Sequence, residues 1–338
     1  MRRGLIATAL VLAMSVFGAG VYQAAGHLKT GRPHVQRPTQ TTGPALPGTI
    51  YVVQGGAIYR LQRGSFHQIT TEEGWMQPAA DSAGARLVAV RRQPNMSDVY
   101  VLERNGRAWT QLTHHSSSQV ELNHWAFHPR FSADGSQIFY DYDPKDPYNS
   151  YRLDLAIFSS SSDPSSKSSV QWTYPNPYTG GDVNPVPLVG GGLIYTRYSI
   201  DLQSKVHSQI WLQARPGIPG AALTDLEADC LQPALTADGR LLAMVCTNGQ
   251  PLSAQLVVAP FNAASLSLGP MTVLVKGQLV ASPSFSPDGK TVAYLAPATP
   301  GGSFQLWTVP ATQSTAPAAR RVSNGLDLDA ASAPVWVP

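Results

Sequence analysis

The chain has 338 residues, of which 43% are hydrophobic and only 13% charged, with 29 glycines and 28 prolines. Such a length and turn-rich composition suit many short strands rather than long helices. A formal charge of +3, without any run of five like charges, excludes nucleic acid as an electrostatically selected partner.

After Met1-Arg2-Arg3, residues 4–26 (GLIATALVLAMSVFGAGVYQAAG) carry no charge. A basic start followed by an apolar run is an export signal. The run is also long enough to cross a bilayer, which takes about 20 apolar residues. Residues 1–26 therefore read as a signal peptide or as a membrane anchor, and both readings place the body of the protein outside the cytoplasm. Residues 27–48 (HLKTGRPHVQRPTQTTGPALPG) form a Pro/Thr-rich linker with too few large apolar side chains for a core. The folded domain is expected over residues 49–338.

That domain begins with three strand-like runs, TIYVV (49–53), AIYRLQ (57–62) and FHQIT (66–70). MQPAADSAGARLVAVRR (76–92) then sets out a plan of a proline, a glycine-bearing turn and an apolar strand. FHPRFSADGSQIFYDYD (127–143), VNPVPLVGGGLIYTRYS (183–199), LQPALTADGRLLAMVCT (231–247) and SPSFSPDGKTVAYLAP (282–297) repeat it, and SAPVWVP (332–338) starts it once more. The marker prolines, Pro78, Pro129, Pro185, Pro233, Pro283 and Pro334, lie 51, 56, 48, 50 and 51 residues apart. A period of this size indicates a propeller or solenoid. Within each unit the turn joins two strands: a proline or its equivalent fixes one corner, and the glycine supplies the positive φ that follows. The Asp and Gly of the turn are accordingly read as structural.

The ends of the domain choose between the two architectures. Residues 334–337 match only the first strand of a unit, and residues 49–70 match the second, third and fourth. Two partial units that add up to one whole predict a ring, an all-β six-bladed β-propeller closed by strand exchange between the N- and C-terminal segments. The FSPDGK-type hairpin resembles the WD40-like (PD40) repeat of TolB-like six-bladed β-propellers, strongly in three units and weakly in the others, across about residues 49–338. The resemblance implies the fold and an extracytoplasmic setting. It does not extend to the α/β domain that precedes the propeller in TolB, nor to the hydrolase domain of prolyl-oligopeptidase relatives.

The cysteines are Cys230 and Cys246 alone, and they flank the 236–240 turn symmetrically. A hairpin of that register puts them opposite each other on neighbouring strands, so a disulfide is expected, which export permits.

Catalytic signatures such as G-x-S-x-G, H-E-x-x-H, a P-loop or C-x-x-C do not occur. His114 and His124, in a loop that also holds His115 and His128, could meet around a metal, with solvated loop histidines as the plainer alternative. Asp141, Asp143 and Asp146 have a spacing that suits calcium but lack the glycine and closing glutamate of an EF-hand loop, and no other cofactor is predicted. The serine-rich residues 159–169 read as a flexible insertion. In a propeller, the loops after the second and fourth strand of every blade emerge on one face. Those loops are expected to gather 13 of the 21 acids, among them Asp141, Asp143, Asp146, Asp182, Asp225, Glu227, Asp229, Asp327 and Asp329, against three bases. Such a face attracts a cationic partner or divalent metal. The first functional reading is a monomeric binding module that presents these loops to a protein or cell-envelope ligand. The alternative is a propeller-type enzyme (lyase, glycosidase or quinone-dependent dehydrogenase) with its site at the channel mouth.

Overall fold

The computed structural model describes residues 46–145, 154–166, 168–250, 254–312 and 319–338. The apolar segment 1–26, nearly all of the linker and Asp146 lie outside them. Six small antiparallel sheets make up the described residues. Chain order runs from β1 (Thr49–Gln54), β2 (Ala57–Gln62) and β3 (Ser65–Gln68) to blade 1, formed by β4 (Trp75–Ala80), β5 (Arg86–Arg92), β6 (Ser97–Glu103) and β7 (Ala108–Gln111). Blade 2 comprises β8 (Ala126–Phe131), β9 (Gln137–Tyr142), β10 (Ala156–Ser161) and β11 (Ser169–Gln171). Blade 3 comprises β12 (Asp182–Pro187), β13 (Leu193–Ile200), β14 (Val206–Gln213) and β15 (Ala221–Ala222). In blade 4, β16 (Cys230–Leu235), β17 (Leu241–Cys246) and β18 (Gln255–Asn262) are flanked by β19 (Ser267–Leu268) and β20 (Thr272–Val275), which both pair with β18. Blade 5 holds β21 (Ala281–Phe285), β22 (Thr291–Pro297), β23 (Phe304–Pro310) and β24 (Arg320–Arg321). The last strand, β25 (Val335–Val337), pairs with β1, so blade 6 has the order β25-β1-β2-β3. Ile50 lies opposite Trp336 and Tyr51 opposite Val335 in that pair.

The strands read as continuous apolar runs because both faces of each blade are covered. Six apolar clusters lie between successive blades. Ile50, Val52 and Trp336 face Leu295 and Leu306 of blade 5, while Tyr51, Val335 and Val337 face Trp75 and Leu87 of blade 1. The alternation of the two strands thus seals blade 6 against both neighbours. The Trp336 indole N–H also donates to the Pro47 carbonyl at 2.8 Å.

The hairpins between first and second strands explain the repeated turn. In each of three copies a hydroxyl donates to the turn aspartate at 2.6 Å: Ser132 to Asp134, Thr236 to Asp238 and Ser286 to Asp288. The same hydroxyl oxygen accepts an amide N–H from the returning strand, as from Thr291 to Ser286 at 3.0 Å. Gly135, Gly239 and Gly289 sit at φ 71°, 71° and 69°, the left-handed conformation that closes the turn at little cost only for glycine. In blade 1 the hydroxyl position is Asp81, whose carboxylate accepts the Ala85 N–H at 2.8 Å and pairs with Arg86 at 3.1 Å. The degenerate copy keeps the hydrogen-bonding role with a different side chain.

Cys230 and Cys246 are joined by a disulfide, with Cα atoms 4.1 Å apart and in direct register. The serine-rich stretch departs from the expectation of an insertion. Its ends are strands, with Ser159 and Ser160 of β10 paired to Val170 and Ser169 of β11. Small hydroxyl side chains tolerate a strand where neighbours supply the ladder.

Two outcomes test these assignments. Deleting residues 332–338 should lower the melting temperature by many degrees, since loss of a Trp-sized core anchor alone costs about 3–5 kcal/mol; a melt within a degree or two of the parent would show that β25 does not close blade 6. Asp134 should titrate at about 2, held there first by the Ser132 hydroxyl and then by the Ser136 N–H and hydroxyl. Because its folded value is depressed, its contribution to stability is present above the unfolded value and fades as pH falls toward 2. Side-chain carbon NMR reads this directly, and a midpoint near 4 would show that the hydroxyl bond is not maintained.

Candidate functional site at the channel mouth

In blades 1 to 5 the innermost strand carries its marker proline at a β-bulge. Register breaks between Met76 and Ala79, Phe127 and Arg130, Val183 and Val186, Leu231 and Ala234, and Ala281 and Ser284. Proline lacks the N–H a ladder requires, and a bulge is where a strand tolerates that loss. The residue before each of these five prolines adopts positive φ: Gln77 51°, His128 47°, Asn184 57°, Gln232 55° and Ser282 52°. Such conformations cost on the order of 1–3 kcal/mol each and persist only where surroundings over-determine them.

Neighbouring blades do so here. The His128 N–H donates to Gln77 Oε1 at 2.8 Å, the Ser282 N–H to Gln232 Oε1 at 2.8 Å and the Gln232 N–H to Thr196 Oγ1 at 3.1 Å. The Gln77 N–H donates to Ser332 Oγ at 2.8 Å, and the Ser282 hydroxyl to the Ala330 carbonyl at 2.8 Å. The five bulge residues, with Arg130 and four of the prolines that follow them, line an axial cavity of about 20 Å³. That space admits about one water. The axis is a polar girdle that ties blades together.

Its most charged part is in blade 2. His128 Nδ1 lies 2.6 Å from Asp141 Oδ2, and Gln77 Nε2 lies 2.8 Å from His128 Nε2. Since Gln77 Oε1 is committed to the His128 amide, its Nε2 must donate. His128 is therefore the tautomer with the proton on Nδ1, donating to Asp141. Asp141 is fully buried, and its Oδ1 has no partner among the described residues. Burial raises its pKa, with His128 acting in the opposite direction. Burial likewise lowers that of Arg130, whose guanidinium donates to the Pro78 carbonyl at 3.3 Å.

The acids expected on this face fall into two groups. Asp141, Asp143, Asp182 and Asp229 are buried. Asp182 takes a two-pronged bond from Arg197 at 2.7 Å and 2.7 Å, with that guanidinium 4.5 Å from the Trp211 ring centroid. Asp229 lies 3.1 Å from His207 Nδ1 and accepts the Ser208 N–H at 3.2 Å. Asp143 accepts the Lys145 N–H at 3.0 Å, and Asp329 accepts the Ser332 hydroxyl at 2.5 Å. Asp225, Glu227 and Asp327 are exposed. Many of these acids already serve as anchors for the strands and loops around them. Asp141 and Asp182 belong to strands rather than loops, which moves their carboxylates inward.

Among the described residues no group of three or more His, Cys, Asp or Glu side chains is arranged to hold a metal ion. His124 donates from Nδ1 to the Asp143 carbonyl at 2.8 Å, and its ring lies 6.0 Å from that of His115, not paired with His114. The bulge residues were missed by sequence reasoning. The available signal was that five of the six marker prolines follow a polar residue, Gln77, His128, Asn184, Gln232 or Ser282.

Replacing Asp141 with Asn tests the axial network. An acid whose folded pKa is raised binds protons more readily when folded, so it lowers stability as pH rises from its unfolded value of about 4 through its folded value. Asp141→Asn should flatten that decline in urea-denaturation series between pH 4 and 7. An identical slope in parent and variant would mean that Asp141 is not a buried charge.

No family model matches the sequence, and no curated protein matches it either. Solved structures do match. TolB from Acinetobacter baumannii aligns with a TM-score of 0.65 at 17% identity, over 87% of this chain and 68% of that one. A putative TolB from Agrobacterium tumefaciens gives 0.55 at 12%, over 86% and 94%. A chain of a nidogen/laminin complex gives 0.56 at 13%, over 85% and 97%. Identities this low speak to the fold alone. Six sheets in a ring, with TolB structures among those that align, make this chain a TolB-like six-bladed β-propeller in fold.

Proposed function

We propose that the protein is an extracytoplasmic binding module whose mouth face docks a protein partner. The observation that carries this reading is a set of large apolar side chains left in solvent on three loops of that face. Leu122 stands before β8, Tyr174 and Tyr178 before β12, and Ile200, Leu202 and Val206 at the β13–β14 hairpin. Leu202 is 99% exposed, Tyr178 70% and Tyr174 65%. Isolated exposed apolar residues need no explanation, but several on one face mark an interaction surface, and tyrosines are preferred anchors of such surfaces. The exposed acids Asp225, Glu227 and Asp327 stand on the same face and favour a partner with a basic rim. The nidogen/laminin complex supports the reading by analogy, as a like fold in a protein assembly. Export is supported by the apolar segment 4–26 and by the disulfide. Among the described residues no helix is long and apolar enough to cross a membrane, so attachment, if the segment is retained, falls to residues 4–26.

The test compares capture from the native cell envelope by the parent, by Leu202→Asp combined with Tyr178→Ser, and by Ile218→Asp on the opposite face. A protein captured by the parent and the opposite-face variant, but lost by about tenfold or more in the mouth-face variant, is the expected result. Equal capture by all three would overturn the reading.

A further inference from the structure

Adjacent blades diverge outward from the axis, so each wedge between them must be filled at its rim. Between blades 2 and 3 large rings do this: Trp172, Tyr195 and Trp211 pack with Phe139 and Ile157. Between blades 1 and 2 the inner part of the wedge is apolar, with Val88, Val99 and Val101 against Ile138 and Tyr140. Further out, on the same face of blade 2, the side chains shrink to Ser160 and Ser169. The result is an open cleft of about 460 Å³, within the range of small-molecule sites.

The wall from blade 1 is held on one buried carboxylate. Asp98 is 1% exposed. It accepts the Thr113 hydroxyl at 2.8 Å, the His115 N–H at 2.9 Å and a Gln111 side-chain N–H at 3.0 Å. All three of these residues line the cleft. His115 donates from Nδ1 to the Ser97 carbonyl at 2.9 Å, which leaves Nε2 as an acceptor. Burial holds the His115 pKa down, so the ring is neutral at pH 7.

Blade 2 supplies aromatic surface. The Tyr142 ring packs 4.9 Å from His115, 5.2 Å from His124 and edge-on to Phe158 at 5.0 Å. Burial pushes the Tyr142 hydroxyl up to about 12, keeping it a donor. The Tyr140 hydroxyl and Ser160 Oγ are 2.9 Å apart on the floor. No carboxylate, lysine or arginine occurs among the described lining residues.

We propose that this cleft binds an uncharged saccharide. Half-buried Tyr142 and Phe158 offer apolar surface to the C–H face of a sugar ring. Gln111, His115, Tyr142, Ser160 and Ser169 surround them with both donors and acceptors for hydroxyl groups. A purely apolar ligand would leave those groups unpaired, and an ionised one would lose hydration with no counter-charge among the described lining residues. Because Asp98 holds one wall in place before binding, little ordering cost remains. The proposal rests on residues other than those of the docking face, since none of Leu122, Tyr174, Tyr178, Ile200, Leu202 and Val206 lines the cleft.

The full chain is titrated by calorimetry with maltose, cellobiose and N,N′-diacetylchitobiose, with glucuronic acid and tryptophanamide as charged and aromatic controls. At least one neutral disaccharide should bind with a millimolar or tighter Kd. Ser169→Trp, which fills the cleft from an exposed position, should weaken it by about tenfold or more, and Gln111→Ala should weaken it less. Melting temperature shows whether Ser169→Trp is folded, and the mouth-face pair Leu202→Asp and Tyr178→Ser should leave binding unchanged. Absence of binding by every neutral sugar at about 10 mM, preference for either control, or binding indifferent to both cleft variants would overturn the proposal.

Discussion

A four-stranded sheet with two apolar faces is soluble only when something covers both of them. Six such sheets cover one another if the stack bends into a ring, and the pairing of β25 with β1 is what lets the sixth take its place. The other features follow from that requirement. Trp336 and Val335 face opposite neighbours, and the bulge amides at the axis find acceptors only on adjacent blades. The outer wedges then have to be filled by bulky rings or left as clefts.

The axis shows how polar groups serve this packing. Five residues in left-handed conformation would be a liability in an isolated strand. Here their amides and side chains form blade-to-blade hydrogen bonds, so local strain and inter-blade cohesion are one arrangement. His128, Asp141 and Gln77 take the same logic into a buried charge, in which each member fixes the protonation or orientation of the next.

Much of the fold was legible because its determinants are local and repeated. The spacing of Pro78, Pro129, Pro185, Pro233, Pro283 and Pro334, the Asp-Gly corners and the symmetric placing of Cys230 and Cys246 each fix a hairpin without long-range information. The site was less legible, because it depends on which way a carboxylate points. Asp225, Glu227 and Asp327 do emerge into solvent. Asp141 and Asp182, which look the same in sequence, sit on strands and turn inward to His128 and Arg197. The cleft beside Tyr142 was invisible for a related reason: a serine-rich stretch reads as a spacer until its pairing shows that small side chains face a diverging wedge.

The arrangement of blade 6 also orders events in time. Its inner strand is β25, almost the whole length of the domain away from β1, so the pairing must close a loop of nearly 290 residues, a slow step governed by chain entropy. Blades 1 to 5 can stack in sequence as the polypeptide emerges, each on a completed neighbour. Until β25 arrives, however, the edge of β1 stays unpaired and the apolar surfaces of blades 5 and 1 that meet Trp336, Val335 and Val337 remain uncovered. The last step of folding is thus also the one that removes the stickiest surface, and any factor that holds the chain on its way to the native state acts before it.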